Sequence, residues 1–564
     1  MSHVAARSLQ IYDTTLRDGV QRHGISCTLE DKIKIVHKLA AIGVPFIEAG
    51  WPGANTVDTQ LFEHFQAHPL KNSALVAFGS TRRPHELVAE SQTLRSLLTA
   101  HTQWITIFGK SWDMHVTDAL KVSLGENLAM IQDSVAYLCE HGRRVIYDAE
   151  HWFDGYKANA DYALKTLEAA VSGGAEWIVL CDTNGGTLPA EIEAIVTEVR
   201  TWMRSQATKD KAFSPPHFSP PHIGIHTHND SGTAVAGAIA AVDAGAQMIH
   251  GTINGYGERC GNADLCSVIP NLQLKLGYIC LAPAQLTALT DVSRYISEVV
   301  NLAPDEHAPY IGRSAFAHKG GIHISAVGRN PKTYEHIDPI AVGNQRRIVV
   351  SSSSGASTVR AKAESYNIDL KEDNLAMRRI INNVKELESK GYQFEAAEAS
   401  FEMLMLKELG QFESMFHLRG FEVSYDRLQS DVQCNIGAQA TIKVSVGGVD
   451  VLEVAECMGP VSALDKALRK ALVRFYPVIE RFHLTDYKVR ILNSEAGTAA
   501  NIRVLVESSD GSTQWATVGV SSNILEASYQ AVAAGIEYGL YREQISGDAA
   551  ACDRSPSLCQ KVTS

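Results

Sequence analysis

The amino-acid sequence predicts an α/β chain that begins with a (β/α)8 barrel of the TIM-barrel type and ends with a smaller α+β domain. Two observations predict the barrel: about eight short β-rich runs in the first half of the chain, and helical segments between them. A third observation, a strand-strand-helix order that occurs twice after residue 438, predicts the second domain. The 564 residues leave room for two or three domains.

The predicted barrel strands are short, and each has a segment with helical periodicity beside it. In Leu29–Ile42, for example, Ile33, Val36 and Leu39 share one helix face. A doubly wound sheet is the alternative, but such sheets usually have fewer strands and a glycine-rich turn after the first, which this chain lacks. The predicted strands are Leu9–Asp13, Pro45–Ala49, Ala74–Gly79, Trp104–Gly109, Arg144–Glu150, Trp177–Asp182, His222–His228 and Gln247–Asn254.

The segment Thr208–His222 carries two Ser-Pro-Pro repeats directly before the seventh strand. Prolines at this density favour an extended surface loop over helix or sheet. His217 and His222 invite interpretation as metal ligands, but loop histidines beside prolines are more often solvated. We therefore expect an inserted loop without a metal site.

The C-terminal domain is predicted from strand Ala440–Val446, strand Val451–Glu456 and helix Val461–Phe475. A second unit of the same order ends in helix Asn523–Tyr541, and Tyr487–Leu492 is an additional strand. An α+β domain with such internal repetition suits effector binding and dimerisation, and a purely structural appendage is the alternative.

These patterns divide the chain into four predicted regions. The barrel occupies residues 1–280, and helical patterns separated by loops form a linker region over 281–420. The regulatory or dimerisation domain occupies 421–545. The polar segment 546–564 is expected to be disordered.

The composition excludes several classes of protein. Lys+Arg total 51 against 63 Asp+Glu, a net charge of −12, and no long basic run offers a surface for nucleic acid. No apolar stretch is long enough to span a bilayer, and Met1–Gln10 lacks the apolar core of a secretory signal, so we expect a soluble, cytoplasmic protein. The ten cysteines include no CxxC pair, which indicates reduced thiols instead of zinc ligands.

Active-site residues of a (β/α)8 barrel come from the carboxyl ends of its strands. His226 and His228 stand two apart in strand seven, so their side chains leave the same face. Two imidazoles and one carboxylate make a divalent-metal site with open positions, and Asp18 after strand one would supply the carboxylate. An isolated His-x-His more often marks two polar residues at a strand edge, but Asp18 and the nearby Asn262 favour the metal site.

Arg17, the neighbour of Asp18, would bring a permanent cation to this site. Its guanidinium matches the geometry of a carboxylate and could stabilise a developing alkoxide. It could equally form a structural ion pair with Glu48 or Glu150. The residues alone leave these two roles open.

Three motifs at these positions resemble those of metal-dependent acyltransferase barrels, the family that includes 2-isopropylmalate, homocitrate and citramalate synthases. The motifs are DTTLRDG at Asp13–Gly19, HTHND at His226–Asp230 and NGYGERCGNADL at Asn254–Leu265. As a set they are highly specific.

The resemblance covers most of the chain. Gly312–His323 is similar to the linker motif of the family, and the region around Gly519–Ser528 is similar to its C-terminal regulatory domain. Ile47–Asn55 and Tyr147–Lys157 look more like the longer citramalate synthases than the isopropylmalate enzymes.

The resemblance implies a divalent metal ion, with Mn, Mg, Zn and Co not distinguished. Its ligands would be Asp18, His226 and His228, with Asn262 at or near the coordination sphere. The resemblance further implies that Arg17 and Thr183 hold a 2-oxo acid.

The remaining implied residues concern proton transfer. Glu150 would act where the thioester is enolised, and His323 is our candidate for the general base, with Glu150 and His318 as alternatives. His323 and Tyr334 would come from the linker, which in this family can serve the barrel of a partner subunit. For both histidines, a packed or capping role is the alternative.

The implied activity is the condensation of acetyl-CoA with pyruvate and water to give citramalate and CoA, in isoleucine biosynthesis. The resemblance also implies a homodimer and isoleucine as effector. Within the family, 2-isopropylmalate synthase with 2-oxoisovalerate as acceptor is the main alternative, and homocitrate synthase is disfavoured because we identify no basic residue for a distal carboxylate. A metal-dependent lyase and a non-catalytic amino-acid sensor are the alternatives from other classes.

Overall fold

The computed structural model describes residues 7–209, 221–351, 354–370, 374–425 and 437–554. The chain forms two compact units. The first comprises Met1–Phe316 and His336–Arg346, and the second Ala317–Glu335 and Arg347–Ser564. Residues of the predicted linker region 281–420 are therefore divided between the two units.

Eight parallel strands of the first unit close into a barrel in sequence order, and β8 pairs with β1. The predicted (β/α)8 barrel is confirmed. The strands are β1 (Gln10–Asp13), β2 (Phe46–Gly50), β3 (Ala74–Ser80), β4 (Trp104–Lys110), β5 (Arg144–Glu150), β6 (Trp177–Asp182), β7 (His222–Thr227) and β8 (Met248–Gly251).

Helices surround the barrel and bury apolar faces against the strands or against neighbouring helices. In α1, Ile35, Val36 and Leu39 are wholly buried, and a capping box between Thr28 and Asp31 fixes where the helix begins. The helices are α1 (Leu29–Ala41), α2 (Thr56–Ala67), α3 (Gln92–Thr99), α4 (Leu124–Glu140), α5 (Trp152–Ala158), α6 (Ala160–Gly173), α7 (Pro189–Lys209), α8 (Ala234–Ala244), α9 (Leu265–Pro270), α10 (Pro283–Leu286) and α11 (Leu289–Val299).

The interior of the barrel holds a separate apolar cluster formed by strand residues alone. Its largest members include Phe46, Trp104, Trp177 and Met248, which are the first residues of β2, β4, β6 and β8. A layer of four side chains from alternate strands is the usual filling of such a barrel. These residues close its amino end.

The segment predicted as a proline-rich loop, Thr208–His222, is only partly described. Its residues 210–220, including His217, lie outside the described residues, while α7 continues to Lys209 and β7 begins at His222. His222 is therefore a strand residue and not a loop residue. Its Nδ1 lies 2.7 Å from Gln247 Oε1.

The second unit contains two antiparallel three-stranded sheets, and each is followed by a helix. This arrangement confirms the predicted α+β domain with internal repetition. The elements are β9 (Ala317–His318), α12 (Gly321–Arg329), β10 (Arg347–Ile348), α13 (Ala356–Ser365), α14 (Asn374–Ser389), α15 (Glu398–Glu408), β11 (His417–Tyr425), β12 (Ala438–Val446), β13 (Val449–Cys457), α16 (Pro460–Leu472), β14 (His483–Ile491), β15 (Ile502–Ser509), β16 (Gln514–Ser521) and α17 (Ile524–Arg554).

Two parts of the second unit differ from the prediction. The sequence analysis extended helical patterns to about Gly420, whereas His417–Tyr425 is strand β11. A register shift between Leu418 and Gly420 interrupts the alternation of apolar residues, which hides the strand in the sequence. The last helix continues to Arg554, so residues 546–554 are helical and not disordered, in keeping with the helix-favouring alanines at 549–551. Residues 555–564 lie outside the described residues.

Among the residues that the structure describes, no helix is both long and apolar enough to cross a membrane.

Candidate active site

A cavity of about 410 Å³ opens at the carboxyl ends of the barrel strands. Loops after β1, β2, β6 and β8 contribute to its wall, together with residues of the strands themselves. Of the residues predicted to form the site, those that line the cavity are Arg17, Asp18, Glu150, Thr183, His226 and His228.

The structure brings the four predicted metal-site residues together. Asp18 Oδ2 lies 3.4 Å from His226 Nε2 and 3.8 Å from His228 Nε2, and all three side chains are buried. Asn262 Oδ1 is 2.9 Å from His226 Nε2. Closure of the barrel produces this cluster, because β8 is the neighbour of both β1 and β7.

The chemistry of these residues fits a divalent metal ion. Candidate ligand atoms of Asp18, His226 and His228 all lie within 4.8 Å of one another, close enough to share one ion. Among the described residues, the buried Nδ1 atoms of both histidines have no hydrogen-bond partner. Two imidazoles and one carboxylate therefore offer a compact set of donors at the floor of the cavity.

Metal binding needs an ionised carboxylate and neutral imidazoles, and the pKa shifts of Asp18 and His228 favour these forms, whereas that of His226 favours a proton which a metal ion would have to displace. Burial alone would raise the pKa of Asp18, but the adjacent Arg17 and the two histidines hold that pKa well below its ordinary value. Burial and the neighbouring His226 lower the pKa of His228 to about 3. Burial also opposes the charged form of His226, but the contact with Asp18 raises its pKa.

Arg17 forms an ion pair with Glu48, one of the two partners that the sequence left open. Its Nε donates to Glu48 Oε2 at 2.6 Å, and its Nη1 donates to Asp18 Oδ2 at 3.2 Å. Glu48 is wholly buried and also accepts from the hydroxyls of Tyr12 and Thr14 at 2.7 and 2.6 Å. Arg17 is thus held rigidly by Glu48 while it lines the cavity beside the metal cluster.

Glu150 and Thr183 lie on the wall at the ends of β5 and β6. Glu150 forms an ion pair with Lys110, a residue that the sequence analysis did not single out. Thr183 Oγ1 accepts from the backbone N–H of His151 at 2.8 Å. His151 adopts a left-handed backbone conformation, with φ of 54°, which places this N–H there.

A second carboxylate-imidazole group was missed by the sequence analysis. Asp148 Oδ1 lies 3.9 Å from the Nδ1 atom of His250, and both form a buried group with His226. Burial raises the pKa of Asp148 to about 7. Asp148 and Glu150 stand two apart in β5, so alternation could have placed both in the interior. The stacking of His250 on Tyr12, with ring centres 3.8 Å apart, depends on strand register and has no local signal.

Three aromatic side chains that line the cavity also carried no local signal. Trp51 contacts Phe78 and Phe108, each with a ring-centre distance of 5.8 Å, and Phe78 stacks on Phe108 at 5.5 Å. The guanidinium carbon of Arg17 lies 3.8 Å from the ring centre of Phe78. We call Trp51, Phe78 and Phe108 the aromatic wall.

The predicted linker residues belong to the second unit. His323 is exposed, and its ring stacks on that of Tyr334 with centres 4.1 Å apart, while Tyr334 is 47% exposed. His318 is buried, and its Nε2 lies 3.1 Å from Glu335 Oε1. Of the two histidines, His318 therefore has the packed environment, and His323 presents its ring to the surface of this unit.

Three family models match successive parts of the chain. Residues 8–296 match the HMGL-like family, and residues 310–392 match the homocitrate synthase post-HMGL domain-like family. Residues 395–540 match the LeuA allosteric (dimerisation) domain.

Curated relatives match almost the whole chain. The (R)-citramalate synthase of Synechocystis sp. is 61% identical over 534 residues, which cover 94% of this chain and 96% of the relative. The (R)-citramalate synthase of Aquifex aeolicus is 49% identical, over 96% of this chain and 99% of the relative. A probable 2-isopropylmalate synthase of Methanopyrus kandleri is 30% identical, over 94% and 97%.

Proposed function

The chain belongs to the (R)-citramalate synthase family, within the HMGL-like family, and we propose that it condenses acetyl-CoA with pyruvate and water to give citramalate and CoA. It is therefore an enzyme, a transferase of acyl groups. One observation of the geometry carries the reaction class: Asp18, His226 and His228 form a buried cluster at the floor of a cavity that Arg17 also lines.

Asp18, His226 and His228 would hold a divalent ion, with Asn262 beside them. A divalent ion at this position supplies a Lewis acid that makes a ketone carbon electrophilic. Because Asp18 also contacts Arg17, the charge of the guanidinium is already partly balanced in the resting site.

Arg17 and Thr183 are proposed to bind and orient the 2-oxo acid. Glu48 occupies the Nε donor of Arg17 and Asp18 occupies one N–H of Nη1, so the remaining N–H groups can bind a carboxylate or a developing oxyanion. Thr183 Oγ1 accepts from the N–H of His151, which leaves the proton of its hydroxyl free to be donated to the substrate.

A general base must remove a proton from the acetyl methyl group of acetyl-CoA. We propose His323 for this role on the resemblance of its motif, with Glu150 as the alternative because Glu150 lines the cavity. The resulting carbon nucleophile attacks the ketone carbon of pyruvate. Hydrolysis of the thioester then releases CoA, and citramalate retains the new carbon–carbon bond.

The aromatic wall supports pyruvate as acceptor. Trp51, Phe78 and Phe108 contact one another and line the cavity beside Arg17, so a branched side chain on a 2-oxo acid held by Arg17 would meet these rings. A methyl group meets no such obstacle. The higher identity to citramalate synthases, 61% against 30% for the isopropylmalate relative, favours the same choice.

The test is CoA-thiol release with acetyl-CoA and one of four acceptors: pyruvate, 2-oxobutyrate, 2-oxoisovalerate or 2-oxoglutarate. We expect the highest kcat/KM with pyruvate, and loss of activity after treatment with a chelator that excess divalent metal restores. A preference for 2-oxoisovalerate would contradict the proposed acceptor, and full activity in chelator would contradict the metal site.

We further propose a cytoplasmic homodimer with isoleucine as effector at the C-terminal domain, and the match to the LeuA allosteric (dimerisation) domain supports the dimer and a regulatory role of that domain. Subunit exchange between inactive Asp18→Asn and His323→Ala dimers tests both the dimer and the role of His323. Recovered activity is expected if His323 serves the barrel of the partner subunit, because one hybrid site is then intact. Without recovery, His323 would have to act in its own subunit or not at all.

A further inference from the structure

Arg259 connects three loops at the mouth of the cavity. Its Nε and Nη2 donate to the two carboxylate oxygens of Asp230 at 2.7 and 3.0 Å, and Nη2 also donates to the backbone carbonyl of Thr183 at 2.7 Å. Thr183 follows β6, Asp230 follows β7 and Arg259 follows β8. A single guanidinium thus joins the ends of three consecutive strands.

The local backbone is built to place this side chain. Arg259 itself has a left-handed conformation, with φ of 53°, which few residues other than glycine adopt without cost. Gly185 approaches Asp230 so closely that a Cβ atom would lie 2.6 Å from its carboxylate. The loops after β6 and β7 also bond directly, from Ser231 N to Gly185 O at 3.0 Å.

The residues joined in this way are neighbours of the proposed substrate and metal ligands. Asp230 lies two residues after His228, and the carbonyl that Arg259 binds belongs to Thr183 itself. His228 in turn forms an isolated bridge with Asn262, three residues after Arg259. A shift of the Arg259 fork would therefore move a proposed substrate contact and a proposed metal ligand together.

From this geometry we propose that Arg259 is a positioning residue, which sets the place of Thr183 and His228 through its fork to Asp230 and the Thr183 carbonyl. This inference rests on the proposed function, because the 2-oxo acid and the metal are the groups whose binding it supports.

The opposite end of the barrel supplies a matched control. Arg144 and Glu176 form a fork of the same kind, from Nε to Oε1 at 2.7 Å and from Nη2 to Oε2. The side chain of Arg144 is 44% exposed and that of Arg259 is 42% exposed. The guanidinium carbon of Arg144 also lies 3.9 Å from the ring centre of Trp104, so removing Arg144 should cost at least as much stability as removing Arg259, and only the removal of Arg259 should affect the site.

The test compares Arg259→Ala, Arg259→Lys and Arg144→Ala with the wild-type protein. Four quantities are measured: the KM for pyruvate, the KM for acetyl-CoA, the Kd for Mn²⁺ titrated alone, and the unfolding midpoint. For Arg259→Ala we expect the KM for pyruvate and the Kd for Mn²⁺ each to rise about tenfold or more, as for other groups that orient metal ligands. The KM for acetyl-CoA should change much less, and Arg259→Lys should recover only part of the loss because one ammonium cannot form the fork.

Arg144→Ala should lower the unfolding midpoint by at least as much and leave the KM for pyruvate and the Kd for Mn²⁺ unchanged. The inference is overturned if Arg259→Ala behaves like Arg144→Ala, or if its KM for both substrates changes equally. A wild-type protein that binds Mn²⁺ but does not condense pyruvate with acetyl-CoA would instead refute the proposed function, and the Mn²⁺ titration would still test the position of His228.

Discussion

The two ends of the barrel are built from the same eight strands but are filled in opposite ways. At the amino end, Phe46, Trp104, Trp177 and Met248 fill the interior with apolar side chains. At the carboxyl end, the strands deliver carboxylates and imidazoles that are also buried, including Glu48, Asp148 and His226. Strand β7 has one histidine near each end, because His222 begins it at the amino end and His226 lies near its carboxyl end.

This difference links the amino end of the barrel to stability and the carboxyl end to chemistry. Burial of large apolar side chains stabilises the folded chain, whereas burial of charged groups costs free energy unless partners compensate. The carboxyl end reduces that cost through contacts such as Arg17 with Glu48 and Asp18. We infer that the amino end holds the barrel closed, while the carboxyl end carries groups that are kept for function.

The largest expected effect comes from replacing His226, one of the two histidines of β7, with alanine. His226→Ala removes a proposed metal ligand, so we expect CoA-thiol release to fall by about a thousandfold or more and Mn²⁺ binding to be lost. His222→Ala, at the other end of the same strand, should change activity less than about twofold. Equal losses of activity in the two variants would contradict the inferred difference in function between the two ends of the barrel.

The next effect concerns stability at the amino end. Trp104 is 6% exposed and packs edge-on against Phe46, with ring centres 5.2 Å apart. Trp104→Ala should lower the free energy of unfolding by about 3–5 kcal/mol, measured by denaturant titration. The folded fraction of this variant should keep its KM for pyruvate, and a raised KM would mean that the two ends are coupled.

A smaller effect is expected in the choice of acceptor. Phe108→Ala opens the aromatic wall while leaving the contact of Phe78 with Arg17 in place, so branched 2-oxo acids should fit better. The ratio of kcat/KM for 2-oxoisovalerate to that for pyruvate should rise about tenfold. Phe46→Leu, a change at the amino end, should leave the ratio as it is.

The last effect is a pH dependence of stability from a buried acid at the carboxyl end. Burial raises the pKa of Asp13 from 3.8 to about 7, although Thr15 donates to both of its oxygens. Between these values the unfolded chain releases a proton that the folded chain keeps, so the free energy of unfolding of the wild type falls as pH rises. The free energy of unfolding can fall by at most about 1.4 kcal/mol per pH unit from this one group.

Asp13→Asn removes this titration. Relative to the wild type, the variant should therefore gain stability as pH rises from about 4 to 7 and show a constant difference below that range. Denaturant unfolding at several pH values measures the difference. A difference that does not vary with pH would show that Asp13 has the same pKa in the folded and the unfolded chain.

The sequence predicted which residues lie at the carboxyl end of the barrel better than it predicted the contacts between them. Alternation placed His226 and His228 on one face, and the closed barrel then brought Asp18 to them. The partner of Arg17 could not be chosen between Glu48 and Glu150, because strand position alone does not give the distance between side chains. The pairing of Lys110 with Glu150 and the stacking of Tyr12 on His250 depend on register between strands, which no local pattern records.

In the second unit, the errors of the sequence-based prediction have a different cause. The repeated strand-strand-helix order was visible because β12, β13, β15 and β16 are short runs rich in apolar and β-branched residues, with turn residues such as Gly447-Gly448 between them. Strand β11 was missed because its bulge shifts the alternation by one residue. The extension of α17 was missed because polarity was given more weight than the helix propensity of the alanines.

The pairing of β1 with β8 has a consequence for how the enzyme matures. Asp18 emerges early from the ribosome and His226 late, so a nascent chain has no binding site until the barrel sequence is almost complete. An ion that binds only the closed form draws the equilibrium towards it by mass action. Metal supply during synthesis would therefore influence the yield of folded protein as well as its rate of turnover.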